Sequence, residues 1–183
     1  DVDLKLEKAI EYYEEEDYHK AQTLLSDIRS YYRGSEKAET INYYNAYCHY
    51  GMGEMSVAAY LFKDFANTFP NSDKREEAEY MAAYCYYLLS PPTSLDQTFT
   101  HRAMQELELF IDRYPASQKR DTVNIFIDKL QEKLELKAFD NAHLYYKIGY
   151  YRAAVTALKN VLIDFPDTKY REDVLYYIVK ANY

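Results

Sequence analysis

At 183 residues and 21.7 kDa the chain has the length of one ordinary domain with a sizeable core, and 48% apolar against 28% charged residues exclude intrinsic disorder. Gly and Pro number only 4 and 5, which excludes collagen-like order and favours long helices. A net charge of -8 with no block of Lys or Arg excludes a nucleic-acid backbone as partner, and the longest near-apolar run, Met81 to Leu89, falls far short of the ~20 residues a membrane helix needs, so the sequence reads as soluble.

The chain opens at Asp1 with no initiator Met and no charged-then-apolar leader, as expected where a signal or anchor segment has been removed. A first repeat, about 2–35, pairs Ala9 with Ala21 twelve positions on and places Arg33 where later repeats have Pro. Its acidic run, Glu14 to Asp17, reads as a solvated helix end, because it has no calcium-loop pattern of alternating Asp and Asn around a Gly. The second repeat, about 38–72, sets Ala46 twelve before Ala58 and closes on Thr68-Phe69-Pro70-Asn71-Ser72. Between Ala and Pro, the residues Leu61, Phe62, Phe65 and Phe69 recur at helical spacing, so an amphipathic helix ends at the Pro and the following Ser is expected to cap the next.

The third repeat, about 74–117, carries Ala83 and Ala103 and ends on Arg113-Tyr114-Pro115-Ala116-Ser117. An insertion at about 90–100 interrupts it: Ser90-Pro91-Pro92-Thr93-Ser94-Leu95-Asp96-Gln97-Thr98, an extended loop with Ser94 and Gln97 at capping-box spacing. The fourth, about 118–168, has a long first helix from roughly Ser117 to Lys147, then Ala142, Ala154 and Asp164-Phe165-Pro166-Asp167-Thr168. A partial fifth, 170–183, starts with Tyr170-Arg171-Glu172-Asp173 at the distance from Pro166 that Lys74-Arg75-Glu76-Glu77 keeps from Pro70. Ala58, Ala103 and Ala154 all precede their Pro by twelve positions. The predicted fold is all-α: a single domain over 1–183 built as a tetratricopeptide-like solenoid of helical hairpins, a right-handed superhelix of four repeats plus part of a fifth.

Repeats with Ser-Pro and Leu-Asp-Gln-Thr in the third hairpin, then Phe110-Ile111-x-x-Tyr-Pro-x-Ser, resemble the BamD family of outer-membrane assembly lipoproteins. The likeness continues through Lys133-Leu134, Ala142, Tyr145-Tyr146-Lys147, Tyr151-Arg152-Ala153-Ala154 and the last Pro phrase, and so covers nearly the whole chain. The lipid-bearing Cys of the family is absent from this sequence. The resemblance implies a non-catalytic periplasmic scaffold, held at the outer membrane by an N-terminal lipid, within the machinery that assembles β-barrel proteins. Implied partners are the barrel assembly protein through its periplasmic domain, accessory lipoproteins, and unfolded outer-membrane proteins received by the early repeats. The alternative is a periplasmic tetratricopeptide adaptor in envelope maintenance or division, for which the insertion is not expected.

Tyr numbers 23 against 8 Phe and no Trp. Tyr43, Tyr47 and Tyr50 stand three before, one after and four after Ala46, and Tyr80, Tyr84 and Tyr87 stand so about Ala83, which puts them on one helical face. The same offsets give Leu6, Ile10 and Tyr13 in repeat one, Phe139, His143 and Tyr146 in repeat four, and Tyr176, Lys180 and Tyr183 in the fifth. The expected site is a partner-binding trough of Tyr13, Tyr43, Tyr47, Tyr50, Tyr80, Tyr84, Tyr87, His143 and Tyr146, because Tyr offers apolar area with a hydroxyl for an extended backbone. The competing reading has these rings filling the space between hairpins. Tyr12, Tyr44, Tyr86 and Tyr145 fall off the face and are expected to pack.

Cys48 and Cys85 occupy equivalent positions in adjacent repeats, and helices about 8–10 Å apart hold their Cα atoms beyond disulfide reach, so free buried thiols are expected. His19, His49, His101 and His143 come from four repeats without a paired spacing, and His49 is expected in the core. With no phosphate loop, nucleophile elbow or Cys cluster, no enzyme, metal or cofactor is expected.

Overall fold

The computed structural model describes residues 2–182. Among them it has nine α-helices and no strand: α1 (Val2–Glu14), α2 (Tyr18–Ile28), α3 (Glu36–Gly51), α4 (Met55–Thr68), α5 (Arg75–Leu89), α6 (Thr98–Arg113), α7 (Arg120–Lys147), α8 (Tyr151–Asp164) and α9 (Arg171–Ala181). These helices pair as tetratricopeptide-like hairpins, the all-α class the repeat spacing predicts. None is long and apolar enough to cross a membrane. Contacts group the chain into two compact units, one of Asp1–Ser90 with Thr98–Val123 and one of Pro91–Gln97 with Asn124–Tyr183.

The repeated Ala residues are where paired helices touch. Ala9, Ala21, Ala46, Ala58, Ala103, Ala142 and Ala154 are all fully buried, since a methyl group lets two backbones approach where a larger side chain would hold them apart. In the first unit a core of Leu6, Leu25, Ile28 and Ile41 joins α1, α2 and α3, and one of Phe62, Phe65, Ala78, Met81 and Ala82 joins α4 and α5. In the second unit Ala142, Leu158, Val161 and Val174 bring α7, α8 and α9 together. Cys48 and Cys85 are free and buried within the two cores of the first unit. Burial pushes both thiols up to about 12, because a thiolate is poorly solvated there.

Three tight turns close their helices in one way. Glu16, Gly53 and Gly149 each donate to the carbonyl three residues back (Tyr13, Tyr50 and Tyr146), and Asp17, Glu54 and Tyr150 donate to Tyr12, His49 and Tyr145, which is a Schellman closure. It requires a left-handed residue, and Gly53 and Gly149 supply φ of 79° and 85°. Glu16 holds φ 61° at the equivalent place, where a Cβ crowds the following carbonyl. Glu16→Gly is therefore expected to stabilise the chain by about 0.5–1 kcal/mol and to raise Tm by roughly 2 °C. Glu16→Gln, which removes only the charge, should leave Tm nearly unchanged; a fall in Tm for Glu16→Gly would contradict the strain.

The Pro phrases end α4, α6 and α8 as predicted, but the hydroxyl residue acts differently from a helix cap. Ser72 Oγ accepts from the Lys74 N–H at 3.0 Å and donates to Glu39 Oε1 at 2.8 Å, so it ties the turn before α5 back to α3. Ser117 does the same with Lys119 N–H at 3.1 Å and Glu76 at 2.5 Å, and Thr168 with the Tyr170 N–H and Glu135. An Arg five positions after each Pro donates to that Pro's carbonyl: Arg75 at 3.1 Å, Arg120 at 3.1 Å and Arg171 at 3.2 Å. These three repeat boundaries are thus fixed by polar bonds as well as by apolar contact.

The insertion is shorter than expected, because α6 already begins at Thr98. Ser94 and Gln97 form no capping box. The buried Gln97 amide instead donates into the loop itself, to the carbonyls of Pro92 at 2.8 Å and Leu95 at 2.9 Å. Lys137 Nζ of α7 donates to the carbonyls of Thr93 at 2.8 Å and Leu95 at 2.7 Å, bonds that lie within the second unit.

Candidate protein-binding face

Tyr13 of α1, Tyr43, Tyr47 and Tyr50 of α3, and Tyr80, Tyr84 and Tyr87 of α5 all lie in the first unit, and all are half-buried. Helical spacing brings each set to one side of its helix, and the stacking of hairpins brings the sets together. Ring centroids step from Tyr13 to Tyr47 at 6.4 Å, Tyr47 to Tyr50 at 6.5 Å, Tyr50 to Tyr84 at 6.4 Å and Tyr84 to Tyr87 at 6.1 Å. Tyr43 joins at 4.8 Å from Tyr47, and Tyr80 stacks on Tyr84 at 6.0 Å. The seven predicted residues of this unit therefore make one connected set of rings.

Each ring has two environments. Its inner edge rests on the core: Tyr47 meets Phe62 edge-on at 4.8 Å, Tyr43 meets Phe65 at 5.7 Å, and Tyr80 meets Phe110 at 5.8 Å. Its outer edge reaches solvent. Burial pushes the Tyr13 hydroxyl up to about 12 and raises those of Tyr43, Tyr47, Tyr50 and Tyr80 as well. At neutral pH these five are uncharged donors fixed in place by their rings.

His143 and Tyr146 lie in the second unit, among different neighbours. His143 contacts Tyr177 at 4.3 Å and Phe139 at 5.7 Å, and Tyr146 contacts Tyr177 at 5.0 Å. Burial, followed by the nearby Lys147 charge, holds His143 below its usual range, so the ring is neutral at pH 7. Phe139 stacks on Tyr170 at 4.8 Å. Leu6 is buried in the core, Tyr176 is 52% exposed with Lys180 over its ring, and Tyr183 lies outside the described residues.

Tyr12 and Tyr44 pack against the first core and Tyr86 against the second, as expected from their positions. Tyr145 does not pack; it is 43% exposed on α7. His49 is not a core residue either. Its Nδ1 sits 2.5 Å from Glu54 Oε2 across the α3–α4 turn, a contact the sequence offers no periodic sign of. Two polar residues of the Tyr face also escape the sequence reading. Glu77 accepts from Tyr47 Oη at 2.9 Å and pairs with Lys119 Nζ at 2.8 Å, while Lys119 also lies 4.4 Å over the Tyr80 ring. The only signal for Lys119 is its place two residues after Ser117, the place Lys74 holds after Ser72, with Lys74 in turn 5.2 Å over Tyr43.

The model of a family described as YfiO, outer membrane lipoprotein, matches residues 5–183. A comparison with curated proteins finds no match. Among solved structures, the crystal structure of a Podosopora anserina putative kinesin light chain with nearly identical TPR-like repeats is similar at a TM-score of 0.47 and 14% identity, covering 98% of this chain and 84% of that one.

Proposed function

The chain belongs to the YfiO family of outer membrane lipoproteins, and on that premise we propose that it is a non-catalytic periplasmic scaffold of the β-barrel assembly machinery, with residues 1–183 working as one repeat domain. A lipid ahead of Asp1 holds it to the outer membrane. Its early repeats take up extended segments of unfolded outer-membrane proteins on the Tyr face, and it docks the barrel assembly protein's periplasmic domain and accessory lipoproteins elsewhere.

The observation that carries this reading is the connected set of half-buried rings across α1, α3 and α5. An unfolded β-strand presents apolar side chains on alternate positions and a backbone with unmade hydrogen bonds. Rigid rings offer the first a surface at low entropic cost, and neutral hydroxyls offer the second donors that carry no charge to desolvate. Neutral tyrosine hydroxyls on rings held against the core suit that task.

Affinity capture of the full-length lipid-bearing protein from membranes tests the assignment. Recovery of an outer-membrane β-barrel protein with periplasmic domains is expected. Recovery of division or envelope-maintenance factors without it would favour an adaptor of that kind.

A further inference from the structure

Two clefts at equivalent places in the first unit differ in what fills them. One, of about 790 Å³, is lined by Arg29 at the end of α2, Arg33 in the turn that follows, Ala38, Ile41 and Asn42 of α3, and Asp64 of α4. At about 100° per residue these α3 positions lie on the side of the helix away from Tyr43, Tyr47 and Tyr50, so the cleft is separate from the Tyr face. The other, of about 100 Å³, lies one repeat later and is lined by Lys63, Glu79, Ala82, Glu106 and Arg113. Its own side chains close it: Glu79 pairs with Arg113 at 2.5 Å and with Arg75 at 3.0 Å, and Lys63 with Glu106 at 2.5 Å. Counted from the crossing Ala of each helix, the first cleft has Asn42 for Glu79, Thr68 for Arg113, Ala38 for Arg75 and Ser26 for Lys63. No such ion pair can form there, and the cleft stays open.

The polar groups of the open cleft are also unpaired. Every other Lys and Arg described in the first unit meets a carboxylate, a ring or a carbonyl, whereas the Arg29 and Arg33 side chains have no partner among the described residues. Asp64, the one carboxylate that lines the cleft, pairs with neither. Asn45 stands at the place of Ala82, which lines the second cleft; it is 7% exposed, and its Oδ1 has no hydrogen-bond partner, a costly state for a buried acceptor. A bare anion suits these groups poorly, because it fills a small part of the volume and brings no donor for Asn45 or Asp64. A peptide segment with an acidic side chain brings a carboxylate for the two guanidiniums and backbone N–H groups for the two acceptors. We infer that this cleft is a second binding site of the chain, taking an acidic segment of a partner protein whose carboxylate bonds Arg29 and Arg33. The partner thus supplies from outside the carboxylate that Glu79 supplies from within one repeat later. What the Tyr face binds has no bearing on this site.

Fluorescence anisotropy with the full chain tests it, using a labelled peptide of Gly, Ala and Leu around two adjacent Glu residues and a control with Gln at those two places; neither carries an aromatic residue. The wild type is expected to bind the Glu peptide at least tenfold tighter than the Gln peptide, as charge-assisted hydrogen bonds would give. Arg29→Gln/Arg33→Gln should remove that preference, and because both side chains are exposed its Tm should match that of the wild type. Asn42→Glu/Thr68→Arg, which installs the kind of pair that closes the next cleft, should weaken the Glu peptide at least tenfold without lowering Tm. Equal wild-type affinity for the two peptides, no binding of either, or an undiminished preference in the double Arg variant would overturn the inference. So would displacement of the Glu peptide by inorganic phosphate at the concentration at which unlabelled Glu peptide displaces it, which would mark a site for free anions.

Discussion

Phe62→Ala is expected to cost about 4 kcal/mol and to lower Tm by roughly 10 °C or more. Phe62 is fully buried at the centre of the α4–α5 core, and Tyr47 stands edge-on against it. Removing the ring opens a cavity that neighbouring Ala residues cannot fill, because Ala58, Ala59 and Ala66 already touch through their only side-chain carbon. In a repeat array the loss falls first on the repeats that share the cavity. Cys85 lies in the same core and reports it: in the wild type its thiol is buried and pushed up to about 12, so a thiol reagent should label it only through opening. Phe62→Ala should raise that labelling rate by orders of magnitude, whereas an unchanged rate would show that the core does not depend on the ring.

Tyr84→Ala is expected to weaken binding of an unfolded barrel segment at least tenfold with little loss of stability. Tyr84 contacts Tyr50, Tyr80 and Tyr87, so it is the ring through which the α3 and α5 sets connect. Truncating an aromatic anchor of this kind removes about 2 kcal/mol or more of binding where the ring is central to the contact. Tyr47 is a poorer probe. It supports Phe62 and donates to Glu77, so Tyr47→Ala disturbs the core as well as the surface. Tyr47→Phe keeps the packing and removes only the hydroxyl bond, and is the informative change there.

Much of the fold was legible because it depends on local rules. Twelve-residue Ala spacing identifies where two helices of a hairpin cross, and every Ala so marked is buried. The aromatic-Pro phrase marks a helix end by sterics alone, and α4, α6 and α8 end on it. The seven Tyr of the first unit were placed by helical offset, and the stacked hairpins join them into one set of rings. What stayed hidden depends on residues distant in sequence. The Ser72–Glu39 bond spans 33 positions and Ser117–Glu76 spans 41, and neither Glu differs in sequence from the many exposed ones. The Gln97 amide and Lys137 settle the insertion through backbone carbonyls, which no side-chain pattern encodes. Glu16 is the opposite case, since its strain was local but visible only once Gly53 and Gly149 were seen to share its backbone conformation.

The central claim, that the Tyr face of the first unit binds extended polypeptide, is tested most directly by titrating an unfolded outer-membrane barrel protein against the wild type and Tyr84→Ala, with thermal melts of both to establish folding. A dissociation constant at least tenfold higher for Tyr84→Ala, at a Tm within a few degrees of the wild type, is the predicted result. Equal affinity of two equally folded proteins would contradict it and assign the rings to packing between hairpins.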